Sequence, residues 1–317
     1  MAPTVAVADT RSAVERALRG KRADVSGVAF HAALLLTLVA SLGILLVLLW
    51  TTWQKAQPVF AERGLDFVTS NGSALAFRAG VRQGIIGSLY LVAIVTVIAL
   101  PLGIAAAIYL QEYARDSRLN RALITNIRNL AGVPSIVYGI LGLVVFVQAL
   151  RAVMGADVAG KTVLSGGLTL SVLVMPIIIL ITMEALRAVP RSIREAAYGV
   201  GATRWEVVRS HVLPYAAPGI ITGTILALAR ALGEAAPLIL VGAATGFFNT
   251  AEGTGVVERL QGPFTALPNL TFSWARLPGD DWKANTSAAI VVMLVVIFAF
   301  NAVAILLRNR YDRARDL

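Results

Sequence analysis

Six stretches of mainly apolar residues, each near the length needed to cross a bilayer, recur along the sequence. They run roughly Ala29–Trp50, Gly84–Tyr109, Leu130–Leu150, Val163–Met183, Ala216–Ala243 and Thr286–Leu307. The hydrocarbon core of a bilayer is about 30 Å thick, which a helix of about 20 residues spans. Inside hydrocarbon every backbone polar group must find a partner in its own segment or in a closed barrel, so apolar runs this long are read as helices. The expected fold is therefore an all-α membrane protein with six transmembrane helices. Composition agrees: 57% of the residues are hydrophobic and 15% are charged, whereas a soluble domain carries about 25% charge. So few charges cannot coat a soluble core, which argues against a soluble enzyme and against a disordered binder. The chain has no cysteine, which excludes disulfides, thiolate metal sites and thiol nucleophiles. With only His31 and His211, imidazole metal sites and Ser-His-Asp triads are disfavoured.

Lys and Arg set the orientation, because cytoplasmic loops carry the excess of basic residues. One side receives Arg11, Arg16, Arg19, Lys21 and Arg22 of the N-terminal tail, and Arg115, Arg118, Arg121 and Arg128 after the second stretch. It also receives Arg187, Arg191, Arg194, Arg204 and Arg209 after the fourth, and Arg308, Arg310, Arg313 and Arg315 at the C-terminus. That is eighteen of the 28 basic residues, so both termini are expected to be cytoplasmic. The organisation that follows is a basic tail over residues 1–28, a first transmembrane helix over 29–53 and a core over 80–310. Within that core lie a cytoplasmic loop, 184–215, and an extracytoplasmic one, 245–285. The first apolar run, about 22 residues, exceeds the 7–15 of a signal h-region, and it is expected to remain as a membrane helix. The net charge of +10 is spread over helix ends, where it anchors to lipid head groups. No single basic face with interleaved aromatics is present, as a nucleic-acid footprint requires, so no nucleic-acid partner is expected.

Gly155–Thr162 fits the pattern G-x-x-x-x-G-K-[ST]. A phosphate-cradling loop needs a strand before it and a nucleotide-binding sheet around it. Here it follows a long apolar stretch, in a loop of about a dozen residues on the extracytoplasmic side, and it is read as a turn.

The segment 184–215 is more informative. Pro190 interrupts any helix continuing from the membrane. Ser192-Ile193-Arg194-Glu195 and Thr203-Arg204-Trp205-Glu206 both fit the capping box, and Gly199 and Gly201 fall between them as stop signals. The expected unit is a helix, a glycine turn and a second helix ended by Pro214, held at the membrane surface. About 30 tethered residues cannot supply the third helix and the core of a DNA-binding helix-turn-helix. Such a unit suits a rigid dock for a cytoplasmic partner. Glu195-Ala196-Ala197, then Gly201, then Leu213-Pro214 resemble the EAA loop of ATP-binding-cassette import permeases, with His211 standing at a usually apolar position of that motif. The resemblance implies a type I ABC importer permease-like fold. It also implies that the loop inserts into an ATPase subunit, with Glu195, Ala196, Ala197, Gly201, Leu213 and Pro214 as coupling residues.

The fifth stretch contains Arg230 and Glu234. Arg230 lies 16 residues beyond Pro214, about 24 Å along a helix, and it is expected to be buried near mid-membrane. An arginine there costs at least about 2.5–3.5 kcal/mol, and such a residue is a functional candidate by default. Glu234, four residues on, shares its face and neutralises it, although Arg before Glu is the less favourable order for helix stability. The guanidinium fork suits an oxyanion. One reading is partner exchange, with the anion taking Arg230 from Glu234; the other is a structural pair that orients the span. Ser135 and Thr182, near span ends, are further candidate donors to a passing anion, each with the alternative of bonding its own helix.

Ala229–Leu238, Gly132–Gly139 and Glu184–Pro190 resemble bacterial phosphate permeases. In the outer loop, Thr265–Pro268 and Phe272–Ala275 are similar to the A-type permease of the high-affinity phosphate system. The resemblance, with Pro101–Ala105, covers about residues 80–310. It implies a bacterial inner-membrane subunit forming half of a heterodimeric pathway for inorganic phosphate. Its implied partners are a second related permease, two ATP-binding subunits and an extracytoplasmic phosphate-binding protein. No cofactor is expected on this chain, since ATP and Mg belong to the ATPase, and no catalytic or metal site is expected. Sulfate or molybdate would suit the same ion pair. An ATP-independent channel or carrier would need no EAA loop, and a membrane enzyme would need a nucleophile–base or carboxylate pair that is missing. The outer loop 245–285, rich in Gly, Pro and aromatics, is expected either to dock the external binding protein or to serve as a connector. Gly219-x-x-x-Gly223 and Gly242-x-x-x-Gly246 are expected to pack helices closely. The sequons at Asn269 and Asn285 are read as chance matches.

Overall fold

The computed structural model describes residues 25–154, 160–243 and 260–315; residues 1–24 of the basic tail lie outside them. Among the described residues, six helices are long and apolar enough to cross a membrane: Ser26–Arg63, Arg82–Tyr113, Ser135–Ala152, Val163–Arg187, Arg204–Gly233 and Asp280–Arg310. The chain divides into two units, residues 1–51 and residues 52–317. The described part of the first is the start of helix α1 (Val25–Arg63), whose Leu34, Leu36, Leu38 and Leu45 are exposed, as suits contact with lipid.

In the second unit, α2 (Asp66–Thr69) leads to α3 (Arg82–Ile108), which ends in a π turn over Tyr109–Tyr113. Helix α7 (Val163–Arg187) packs along α3. Leu91, Val95 and Ala99 of α3 join Leu170, Leu173, Val174 and Ile178 of α7 in the main core, together with Ala227, Leu228 and Ala231 of α10 (Leu213–Gly233). Helices in lipid gain little from hydrophobicity and associate through close packing of small residues. Gly219 faces Ala185, and a Cβ at Gly223 would strike Ile181 Cγ2. The Gly219-x-x-x-Gly223 face thus seats the fifth span on the fourth within this chain. Gly242 closes α11 (Ala236–Val241) at φ +92°; Gly246 and most of the Gly155–Thr162 segment lie outside the described residues. Thr162 begins α7 as its cap, in a reciprocal box with Ser165.

Three expectations change. The third span begins at Ser135, not Leu130, because Leu130 and Ala131 end a separate amphipathic helix, α4 (Arg118–Ala131), capped by Ser117. Pro134, which cannot continue a helix, stands at the break, and the Tyr138 hydroxyl donates to Leu130 O at 2.8 Å across it. The third span itself is α5 (Ser135–Gly142), a π turn over Leu143–Val147 and α6 (Gln148–Met154). The fifth stretch is not one helix to Ala243. It breaks after Gly233, with Glu234 extended (ψ 115°), and resumes as α11 with Pro237 in its first turn. The outer loop is no simple connector: α12 (Leu267–Trp274) is largely buried. Its Leu267, Leu270 and Trp274 join Phe67, Val81 and Ala289 in a second core. Asn269 is 1% exposed and donates to Ala243 O at 2.9 Å, so that sequon is sterically closed. Helix α13 (Asp280–Arg315) carries the sixth span.

Candidate functional site: the coupling loop and the intramembrane ion pair

The loop after α7 forms two helices. Helix α8 (Arg191–Gly199) starts directly after Pro190, so Ser192 lies inside the first turn and the first expected capping box does not form. Glu195 is therefore not folded back onto a cap and is exposed with Ala196, while Ala197 turns inward at 4% exposure. The turn that follows is a glycine C-cap: Gly201 has φ +85°, and Ala202 N donates to Ala197 O at 3.1 Å. Those are the marks of a Schellman ending, which favours glycine at the left-handed position. The second box does form. Thr203 caps α9 (Arg204–Val207), and the Glu206 side chain returns to the Thr203 N–H.

Pro214 does not end this helix. Helix α9 runs through a π turn, Val208–Val212, into α10. Pro214 stands directly after the π turn, inside this helical run. Leu213 and Pro214 are half-buried, and His211 is exposed, so it disturbs no packing. Ala197, Val207, Val212 and Ala216 share an apolar cluster with Leu186 and Val189 at the end of α7. The two helices are thus braced on the membrane spans and present Glu195, Ala196, Tyr198, Val200 and Trp205 outward.

A contact that the sequence reading missed fixes this brace. Arg194 Nη2 lies 2.7 Å from Glu112 Oε1 in the π turn at the end of α3, and Arg194 Nε lies 3.4 Å from Oε2. Nothing in the spacing of two residues 82 positions apart announces such a pair.

In the fifth span, Arg230 Nε stands 3.5 Å from Glu234 Oε1. The expected pairing holds, but the expected burial does not. The Arg230 side chain is 57% exposed and that of Glu234 is 18% exposed. The helix ends within a turn of Arg230, which opens space around the guanidinium. Gly139 lies against Pro237, where a Cβ would come within 2.7 Å of Pro237 Cα. The start of the third span, including half-buried Ser135 one turn earlier, therefore neighbours the segment after the break. Thr182 is 1% exposed and is closed off from any opening in this conformation. Among the described residues, no three His, Asp or Glu side chains gather to hold a metal ion.

Six spans, a capped helix pair between the fourth and fifth, and an arginine inside the fifth define a membrane transport subunit, not a soluble catalyst. The chain belongs to the family described as "Binding-protein-dependent transport system inner membrane component", whose model matches residues 99–316. It is 32% identical over 278 residues to the phosphate transport system permease protein PstA of Yersinia pestis, covering 85% of this chain and 88% of that one. It is 30% identical over 316 residues to the phosphate transport system permease protein PstC of Mesorhizobium japonicum, covering 92% and 93%. Among solved structures it superposes on a chain of a bacterial alginate ABC transporter, solved in complex with its pentasaccharide-bound periplasmic protein. The TM-score is 0.61 at 17% identity, over 88% of this chain and 94% of that one. The protein is an ABC importer permease subunit, a multi-pass protein of the inner membrane.

Proposed function

We propose that the chain is the A-type permease subunit of an ATP-driven importer of inorganic phosphate, forming half of a heterodimeric pathway with a related permease. Two ATP-binding subunits dock on the loop 184–215, which places both termini in the cytoplasm, and a phosphate-binding protein delivers the anion from outside. ATP and Mg are held by the ATPase subunits, where hydrolysis takes place.

The observation that carries this reading is the exposed Arg230 beside Glu234. A guanidinium inside an apolar span that is left open on its own chain cannot face lipid without a cost of several kcal/mol. Water or the partner subunit suits it better, and in an importer permease a polar surface of that kind suits a translocation path. The planar fork then takes two oxygens of a phosphate. Glu234 competes for the same donors and keeps the anion releasable. Ser135, half-buried one turn before the Gly139 that meets Pro237, is a further candidate donor. Thr182 contributes only in a state that uncovers it. Sulfate or molybdate would meet the same chemistry, and the identity to phosphate permeases favours phosphate.

Arg230→Gln tests the role of the pair in the whole assembly. Uptake is expected to fall about ten- to a hundredfold, as for loss of a charge-assisted site of about 1.5–3 kcal/mol, with assembly and ATPase docking unchanged. Failure to assemble would make the pair structural and overturn its place in the pathway.

A further inference from the structure

The π turn Tyr109–Tyr113 at the end of α3 receives three basic side chains from the coupling region. Arg187, at the end of α7, donates from Nε to Gln111 Oε1 at 2.9 Å. Arg194 of α8 forms the two-oxygen pair with Glu112. The Arg204 guanidinium of α9 lies 5.1 Å from the centre of the Tyr113 ring. Three successive helical residues point in different directions, so engaging all three takes a partner that wraps the helix end. The middle contact is the strongest. Arg194 and Glu112 are 19% and 10% exposed, a setting where removing one charge leaves the other poorly compensated. The remaining Arg194 donors reach Val189 O at 2.8 Å and Leu186 O at 2.9 Å, so one guanidinium ties together the ends of α3 and α7 and the body of α8. Below it, Ile104 and Ile108 of α3 pack on the apolar cluster of the loop. π turns inside α-helices are often found at functional positions.

Covalent continuity joins the loop to the fourth and fifth spans only. The second span, which packs along the fourth through the main core, has no such link. We propose that the Arg194–Glu112 pair, flanked by Arg187–Gln111 and Arg204–Tyr113, is a latch that makes the second span move as one body with the coupling loop. Glu112 is then a positioning residue for coupling. The inference rests on the reading of this loop as the ATPase dock, and it adds the route by which the motion reaches a span that the loop does not continue into.

The chain has no cysteine, which permits a reversible test. Glu112→Cys with Arg194→Cys is assembled with the partner permease, the ATPase subunits and the binding protein in liposomes, and labelled inorganic phosphate and ATP are followed. With the thiols reduced, phosphate carried per ATP hydrolysed is expected to fall about tenfold, within the usual range of coupling effects, while ATP hydrolysis continues. Bridging the thiols with a bifunctional methanethiosulfonate of matching span is expected to restore uptake, and reductant to abolish it again. Arrest of transport by the bridge, or parental coupling in the reduced variant, would overturn the latch.

Should the variant fail to assemble, amide exchange in the unmodified assembly decides. A non-hydrolysable ATP analogue is expected to alter exchange in residues 109–113 and 191–199 together, and a change confined to 191–199 would overturn the proposal. Lack of ATP-driven phosphate uptake by the unmodified assembly would instead count against the phosphate reading, and the exchange measurement still decides the latch.

Discussion

Gly201 shows how a single backbone angle shapes the loop. A Cβ at this position meets nothing within 4 Å, so space is no obstacle; the constraint is φ +85°. A β-carbon costs about 1 kcal/mol there, and Asn bears the left-handed conformation better than other residues. Gly201→Asn is therefore expected to keep most ATP-driven transport, whereas Gly201→Val is expected to lose it through strain and Gly201→Asp, which tolerates the angle, through a charge added to the exposed loop, while the path stays open to anion. Transport measured beside anion binding checks this, and normal transport by Gly201→Val would contradict it. Glu195, Ala196, Ala197 and Gly201 were legible in the sequence because their motif is local. The inward turn of Ala197 and outward turn of Glu195 follow from helical spacing once Pro190, not Ser192, is recognised as the start. Arg230 and Glu234 were legible as a pair, but the exposure of Arg230 was not. That exposure depends on where the helix stops, for which Gly233 and Pro237 were the local signals.

At the scale of elements, the six spans were legible because twenty apolar residues leave few alternatives in lipid. Their breaks were less so. The helix Arg118–Ala131 carries Arg118, Arg121 and Arg128, and these charges mask its amphipathic pattern. Its apolar residues fall at helical spacing, with Ile124 and Ile127 packed toward Ala107, Leu110 and Met183, and Ser117 was a usable cap signal. The buried outer helix Leu267–Trp274 was read as dock or connector because its partners, Phe67 and Ala289, come from distant segments. Contacts between adjacent spans follow from small residues. Gly223→Leu would force a side chain into Ile181 and is expected to cost about 1–3 kcal/mol, as overpacking does. Thermal unfolding of the purified assembly reads this, and an unchanged midpoint would place the fourth and fifth spans further apart than described.

At the scale of the molecule, the loop outside the membrane and the arginine within it sit at opposite ends of one helical run, Arg204–Gly233. Under the proposed function, a push on the loop would reach Arg230 through this helical run, while Arg194 holds the ends of α3 and α7 to the loop. Such an arrangement biases two states of the path without any chemistry in this chain, because a bound nucleotide shifts an equilibrium only through differential affinity for the two states. Labelled phosphate uptake into liposomes holding the complete assembly, started by ATP on the ATPase side with sulfate in excess, tests this account most directly. It predicts uptake that requires ATP and is indifferent to sulfate. Uptake suppressed by sulfate would contradict the substrate, and phosphate flux without ATP would contradict the coupling on which the whole account stands.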